Sequence, residues 1–204
     1  TGFDCIYTEP GNDIIDGGGG PDTFVGNYRN AISNVIMTYS IATGSGTIEV
    51  AGEKDAFTSI ESFSGFLGSA FDDYLFGGTA NDNNIDGGAG NDTVFANSGG
   101  DSVYGKNGND YLDGGNDNDE LYGNEGNDSL YGSEGNDELY GGNGNDLVDG
   151  GAGGDILYQD AGNDSLYGGT DIDTYRADYN ASAARVVMTY SITMSNGTIT
   201  VGSE

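Results

Sequence analysis

Residues 87–176 read, in blocks of nine, GGAGNDTVF, ANSGGDSVY, GKNGNDYLD, GGNDNDELY, GNEGNDSLY, GSEGNDELY, GGNGNDLVD, GGAGGDILY, QDAGNDSLY and GGTDIDTYR. The consensus is G-G-x-G-N-D-x-L-Y. Working outward, two degenerate copies precede this block: GSAFDDYLF at 68–76 and GGTANDNNID at 77–86, the second one residue longer. Three more open the chain: the truncated TGFDCIY, TEPGNDIID at 8–16 and GGGGPDTFV at 17–25. The sixth position is aspartate in all fifteen copies: Asp4, Asp13, Asp22, Asp73, Asp82, Asp92, Asp101, Asp110, Asp119, Asp128, Asp137, Asp146, Asp155, Asp164 and Asp173. The eighth is always apolar or aromatic, from Ile6 through Leu112 and Leu139 to Tyr175, with Ile85 in that place once the extra residue of 77–86 is allowed for. Aspartate is only 25 of 204 residues, so this register is not chance.

The unit carries its own physics. Glycines tolerate positive φ, so the first six residues are expected to curl tightly. The last three, x-L-x, are expected to form a very short strand with one inward side chain. A single unit buries almost nothing, whereas stacked units bury a continuous apolar column. The sequence therefore predicts a solenoid with two nonapeptides per coil, so that residues 18 apart meet on neighbouring rungs roughly 4.8 Å apart. Asp92, Asp110, Asp128, Asp146 and Asp164 then form one row, and Asp101, Asp119, Asp137, Asp155 and Asp173 the other. Carboxylates at that spacing repel unless hard cations intervene. Carboxylates beside glycine-turn carbonyls, in a chain with no histidine and one cysteine, favour calcium over zinc or copper. Magnesium, which holds its waters and demands stricter octahedral geometry, fits less well.

Composition narrows the function further. Acidic residues number 34 and basic residues 5, a net charge of −29, which argues against nucleic acid and anionic membranes as partners. Without histidine there is no Ser-His-Asp triad, and one cysteine makes no internal disulfide. No apolar run reaches a bilayer-spanning length, and no signal peptide opens the sequence. A disordered acidic linker would not keep an inward apolar residue every nine positions, and no twelve-residue loop has the EF-hand pattern. Adjacent carboxylates such as Asp72 and Asp73 fall on the metal register and imply no catalytic pocket, so the chain is not expected to be an enzyme.

At this point the sequence resembles the RTX, or haemolysin-type calcium-binding, family, whose motif is G-G-x-G-x-D-x-U-x with U a large apolar residue. The resemblance covers 1–25 and 68–176. It implies an all-β fold, a parallel β-roll solenoid. Calcium would sit between each turn and the turn 18 residues on, held by the position-six aspartates and by carbonyls of the first four positions. Carried onto this chain, those carbonyls belong to Gly87, Gly88, Gly90, Gly105, Gly108, Gly123, Gly126, Gly132, Gly135, Gly141, Gly142, Gly144, Gly150, Gly151 and Gly153. Pairing the aspartates from Asp73/Asp92 to Asp155/Asp173 implies ten Ca²⁺ sites, with Asp4/Asp22 an eleventh. Some copies depart from the motif. ANSGGDSVY and QDAGNDSLY lack the leading glycines, and Asp117 and Asp171 replace the fourth glycine, where aspartate tolerates left-handed geometry. The extra residue in 77–86 is expected to bulge, which makes Asp82 the least secure position of the main block.

Residues 26–67 break the period. VIMTYSI at 35–41 and TIEV at 47–50 read as strands around an ATGSG turn. The text returns 151 residues later, with VVMTYSI at 186–192 and NGTITV at 196–201; 27–50 matches 178–201 at 11 of 24 positions. The expected organisation is the end of a preceding roll (1–25), a hairpin or capping module (26–67), the main roll (68–176) and a second hairpin module (177–204), a piece of a tandem array. The hairpin is expected to cover the open end of a roll, with 56–67 packed beneath it.

Position nine places Tyr104, Tyr122, Tyr140 and Tyr158 in a ladder, read either as cross-rung stacking or as a docking strip for glycans or a partner. The opposite face mixes Phe76, Phe95, Asp113, Tyr131, Asp149 and Tyr167. Cys5 falls at an outward position without an evident role. The function expected is a calcium-folded structural segment of a secreted or cell-surface protein of adhesin, surface-layer or filament type, with further copies end to end or surface glycans as partners. The alternative is an accessory module of a secreted enzyme. Ice binding would need a flat threonine array, which the sequence lacks.

Overall fold

The computed structural model describes residues 5–7, 14–17, 20, 22–28, 31, 35–40, 45–50, 53–58, 62–63, 65–82 and 84–177. Among these residues there is no helix, and the strands are β1 (Cys5–Tyr7), β2 (Ile14–Asp16), β3 (Thr23–Val25), β4 (Val35–Ser40), β5 (Ser45–Val50), β6 (Glu53–Thr58), β7 (Tyr74–Phe76), β8 (Ile85–Ala89) and β9 (Thr93–Phe95). They continue as β10 (Ser102–Asn107), β11 (Tyr111–Asn116), β12 (Glu120–Glu125), β13 (Ser129–Glu134), β14 (Glu138–Asn143), β15 (Leu147–Ala152), β16 (Ile156–Gln159), β17 (Ser165–Thr170) and β18 (Thr174–Ala177). Even-numbered strands β8 to β18 pair side by side in one six-stranded sheet, and odd-numbered strands β7 to β17 in another. All these pairs are parallel, and the interior steps are 18 residues: Leu112 lies beside Leu130, and Leu121 beside Leu139. The fold is the parallel β-roll, two nonapeptides per coil. The one step of 19, Tyr74 to Thr93, absorbs the extra residue of 77–86, where Asn84 takes φ 59°.

Strands β1, β2, β3, β7 and β9 have the three residues expected, but most of the roll's strands are longer. In the interior they span six, running through position nine into the first three residues of the next unit, as in β13. Only the fourth to sixth residues turn. Hydrogen bonding explains the extension: a parallel neighbour lies 18 residues away along the whole unit, so pairing continues from Leu130 beside Val148 to Glu134 beside Ala152. The left-handed turns expected at Asp117 and Asp171 form, both at φ 76°.

The longer strand sets the interior. Side chains alternate, so positions eight and one share the inner face. In β13 these are Leu130 and Gly132, both buried between outward Ser129, Tyr131 and Ser133. Leu112, Leu130 and Val148 from one sheet meet Val103, Leu121, Leu139 and Leu157 from the other in a fully buried column. Fully burying one such side chain is worth about 1.5–3 kcal/mol.

The segment 26–67 does not close a sheet edge; it extends both sheets. β4, β5 and β6 form an antiparallel meander, with Met37 beside Ile48 and Thr47 beside Ala56. β4 joins β7 in parallel through Ile36 and Tyr74, and β6 joins β2 in parallel with Ile15 beside Phe57. On the other side, bridges from Thr23 to Ser62, Asn27 to Leu67 and Leu67 to Asp86 carry residues 62–67 between β3 and β8. Inserted strands satisfy the backbone groups of two sheet edges, whereas a cover satisfies those of one. Phe63 and Phe66 are buried with Phe24 and Ile48, and the Phe24 and Phe63 rings meet edge-on at 6.0 Å. The second hairpin expected at 186–201 lies outside the described residues.

Candidate metal centre

The inner face of each strand presents a leucine-type residue and then a glycine. Because the glycine has no side chain, the aspartate five residues later folds back over it. A Cβ at Gly123 would collide with Oδ2 of Asp128, and one at Gly132 with Oδ2 of Asp137. The same Cβ positions would collide with the carbonyl oxygens of Gly141 and Gly150, each one coil further on. Carboxylate and backbone oxygens from consecutive coils thus converge over each leading glycine.

Each carboxylate splits its two oxygens between different tasks. Oδ1 accepts the backbone N–H of the aspartate one coil earlier: Asp92 donates to Asp110, Asp101 to Asp119, Asp110 to Asp128 and Asp119 to Asp137, all at 2.8 Å. The series ends with Asp146 to Asp164 at 3.2 Å and Asp155 to Asp173 at 3.1 Å. Oδ2 of Asp92, Asp101, Asp110, Asp119, Asp128, Asp137, Asp146, Asp155 and Asp164 is buried without a hydrogen-bond partner in the protein. An unpartnered buried anion is among the costliest groups a protein can hold. The two rows of the sequence reading are therefore real structural columns, and each is short of positive charge.

The carboxyl groups register that shortage. Burial pushes Asp92 up to about 7, and the neighbouring charges of Asp110, Asp73 and Asp72 add to it against the hydrogen bond from Asp73 N–H. Burial takes Asp101 to about 9, Asp119 and Asp128 to about 7, and Asp110 and Asp137 to about 6. Asp146, Asp155, Asp164 and Asp173 are raised in the same direction for the same first cause.

The donors fit a hard divalent cation: carboxylate and carbonyl oxygen, with no nitrogen or sulfur. Among the described residues no three acidic side chains gather as a cluster, so a cation here would draw on carboxylates of successive coils together with backbone carbonyls. Not every sequence candidate is placed alike. Asp22 is buried, while Asp4 and Asp13 lie outside the described residues. Asp73 and Asp82 are buried but already accept protein donors: Ser69 N–H and hydroxyl at Asp73, and Gly78 N–H and Phe63 N–H at Asp82. Among the glycines carried over for their carbonyls, the fourth-position ones stack closely. A Cβ on Gly126 would land on the Gly108 carbonyl oxygen, and one on Gly144 on that of Gly126.

The asparagine ladder and the cationic ends of the tyrosine ladder went unassigned in the sequence reading. Position-five asparagines form an outer ladder running opposite to the aspartates: Asn109 N–H donates to Asn91 Oδ1 at 2.8 Å, Asn127 to Asn109 at 2.7 Å and Asn145 to Asn127 at 2.8 Å. The signal was the recurrent asparagine of the consensus. The second feature concerns the tyrosine ladder, which stacks at 4.8, 4.6 and 3.9 Å between ring centroids. Lys106 lies over the Tyr104 ring at 4.5 Å and Arg176 over Tyr158 at 5.5 Å, so a cation closes each end. The ring faces are spent on each other, which leaves edges rather than faces for a sugar.

A family model, the RTX calcium-binding nonapeptide repeat, matches residues 1–27, 67–103, 78–112, 86–121, 95–130, 122–157 and 140–175, together about two thirds of the chain. No curated protein matches the sequence.

Proposed function

The chain belongs to the family of RTX calcium-binding nonapeptide repeats, and from that premise we propose that it is a calcium-folded structural segment of a larger secreted or cell-surface protein, of adhesin, surface-layer or filament type. Calcium binding by the repeats in a β-roll is the family property; the switch-like folding, the surface setting and the site count are this proposal. The observation that carries it is the double column of buried Oδ2 atoms, unpartnered coil after coil. Ca²⁺ held between coils by these carboxylates and the glycine-turn carbonyls would supply the positive charge that those atoms lack. The chain's own residues do the rest: leading glycines leave room, aspartate Oδ1 atoms tie coil to coil, and the apolar column closes between the sheets. Without the cation, the net charge of −29 favours an expanded chain. The best-furnished pairs are those from Asp92/Asp110 to Asp146/Asp164, where both partners carry a bare Oδ2. The 151-residue recurrence of the inserted module supports an array over an enzyme's accessory block.

Far-UV circular dichroism of the chain, titrated with calcium from a chelated start, tests the reading. A steep gain of β-signal with calcium, at or below about 10⁻³ M, and not with equal magnesium, is expected. Full β-signal in chelator at neutral pH would refute a calcium-driven fold.

A further inference from the structure

We propose that Asp73 and Asp82, which the nonapeptide register counts among the cation ligands, are not ligands: protein hydrogen bonds close their carboxylates, and the calcium rows of the main roll start one coil later, at Asp92 and Asp101. The inference rests on the calcium reading of those rows.

The first coil departs from the others at one atom. From Asp92 to Asp164 Oδ2 of the position-six aspartate lacks a protein partner; at Asp73 and Asp82 it has one. Ser69 stands where the motif has its second glycine, and it is nearly fully buried. Its N–H donates to Asp73 Oδ2 at 2.6 Å and its hydroxyl to Asp73 Oδ1 at 2.8 Å. Phe71 N–H donates to the same hydroxyl oxygen at 3.1 Å and so orients it toward Asp73. Asp82 is closed differently: Gly78 N–H reaches Oδ2, and Phe63 N–H, from the inserted module, reaches Oδ1. Two donors per carboxylate meet part of the need that a cation meets elsewhere, although burial still raises Asp82 to about 6 against them. A calcium ion bound to either group would have to displace donors fixed by buried backbone.

The closed coil still offers the next one its full set of partners. Asp73 N–H donates to Asp92 Oδ1 at 2.8 Å, and Asp82 N–H to Asp101 Oδ1 at 2.6 Å. Thr93 N–H and Ser102 N–H return bonds to the Asp73 and Asp82 carbonyls at 2.9 and 3.0 Å. It is thus a rung, made without calcium, on which the calcium-bound coils stack.

Counting bound calcium by equilibrium dialysis of the full chain and single variants tests this, with circular dichroism to report folding. Asp73→Asn and Asp82→Asn are expected to keep the full count, while Asp110→Asn and Asp119→Asn each lose at least one ion. Loss of an ion from a folded Asp73→Asn overturns the proposal. If none of the four loses calcium, the calcium reading of the rows fails instead, and the two failures are distinct. Should Asp73→Asn not fold, Asp82→Asn decides alone: loss of an ion from that folded variant overturns the proposal, because its carboxylate is closed by the backbone donors of Gly78 and Phe63.

Discussion

The interior coils from Gly87 to Tyr158 and the inserted segment with its neighbouring coil, residues 62–82, bury their surfaces in opposite ways. The interior encloses a single leucine-type residue per strand beside a carboxylate whose Oδ2 has no partner. The insert encloses rings, Phe24, Phe63 and Phe66 with Tyr28 against Phe66 at 5.3 Å, and its adjoining carboxylates are met by protein donors. One region is built around a missing charge and the other around apolar area. On the proposed reading a chain made wholly of the first would depend on calcium everywhere, whereas the second adds a stretch packed by apolar contact.

Acid should separate the two regions most strongly. The row carboxyls have pKa values raised to about 6–9 in the fold from an ordinary value of 3.8. The folded roll therefore binds more protons than the expanded chain between those limits. Its stability is greatest below about pH 4 and drains away as pH rises through the folded values. In chelator, β-structure should appear on acidification from pH 9 to 4, with coils 87–158, and Asp82 beside them, whose carboxyl burial raises to about 6, accounting for the gain when amide exchange is followed by region. A roll that instead melts on acidification in chelator would break the comparison.

Cavities sharpen it next. Leu121→Ala empties a fully buried position in the apolar column between the aspartate rows, and Phe66→Ala one in the ring cluster. Each should cost about 2–5 kcal/mol. On the proposed calcium-folded reading, only Leu121→Ala should raise the calcium midpoint in the dichroism titration strongly; equal shifts from both would mean that the two regions fold as one.

The smallest effect is expected at Asp117, which holds φ 76° and whose charge adds to the raised carboxyls of Asp101 and Asp119. Asp117→Gly restores the motif residue and removes that charge. It should stabilise the chelated chain by about 1 kcal/mol, with a smaller gain once calcium is bound. Thermal melts with and without calcium measure the difference.

Much of this was legible because every coil repeats one local rule. The invariant Asp and the apolar position eight gave the columns, the period of nine gave the 18-residue register, and Tyr104, Tyr122, Tyr140 and Tyr158 fell into the ladder as their spacing required. What escaped was where the rule meets something non-periodic. Ser69 looks like a slight degeneracy in GSAFDDYLF, yet its donors saturate Asp73. Phe63 looks like one more apolar residue in a linker, yet its N–H serves Asp82, 19 positions on. The six-residue strand was missed because its outer half is glycine-rich, and glycine's poor strand propensity is overridden by a parallel partner on each side.

By itself, then, the sequence determined the roll, its two aspartate columns and the kind of cation they call for, since a nine-residue period leaves each unit only its own copies to bury against. The tertiary structure alone decided that residues 26–67 continue both sheets and that the first coil closes its carboxylates with protein. Those outcomes depend on which backbone donors reach a given oxygen across the fold, and no local period encodes that.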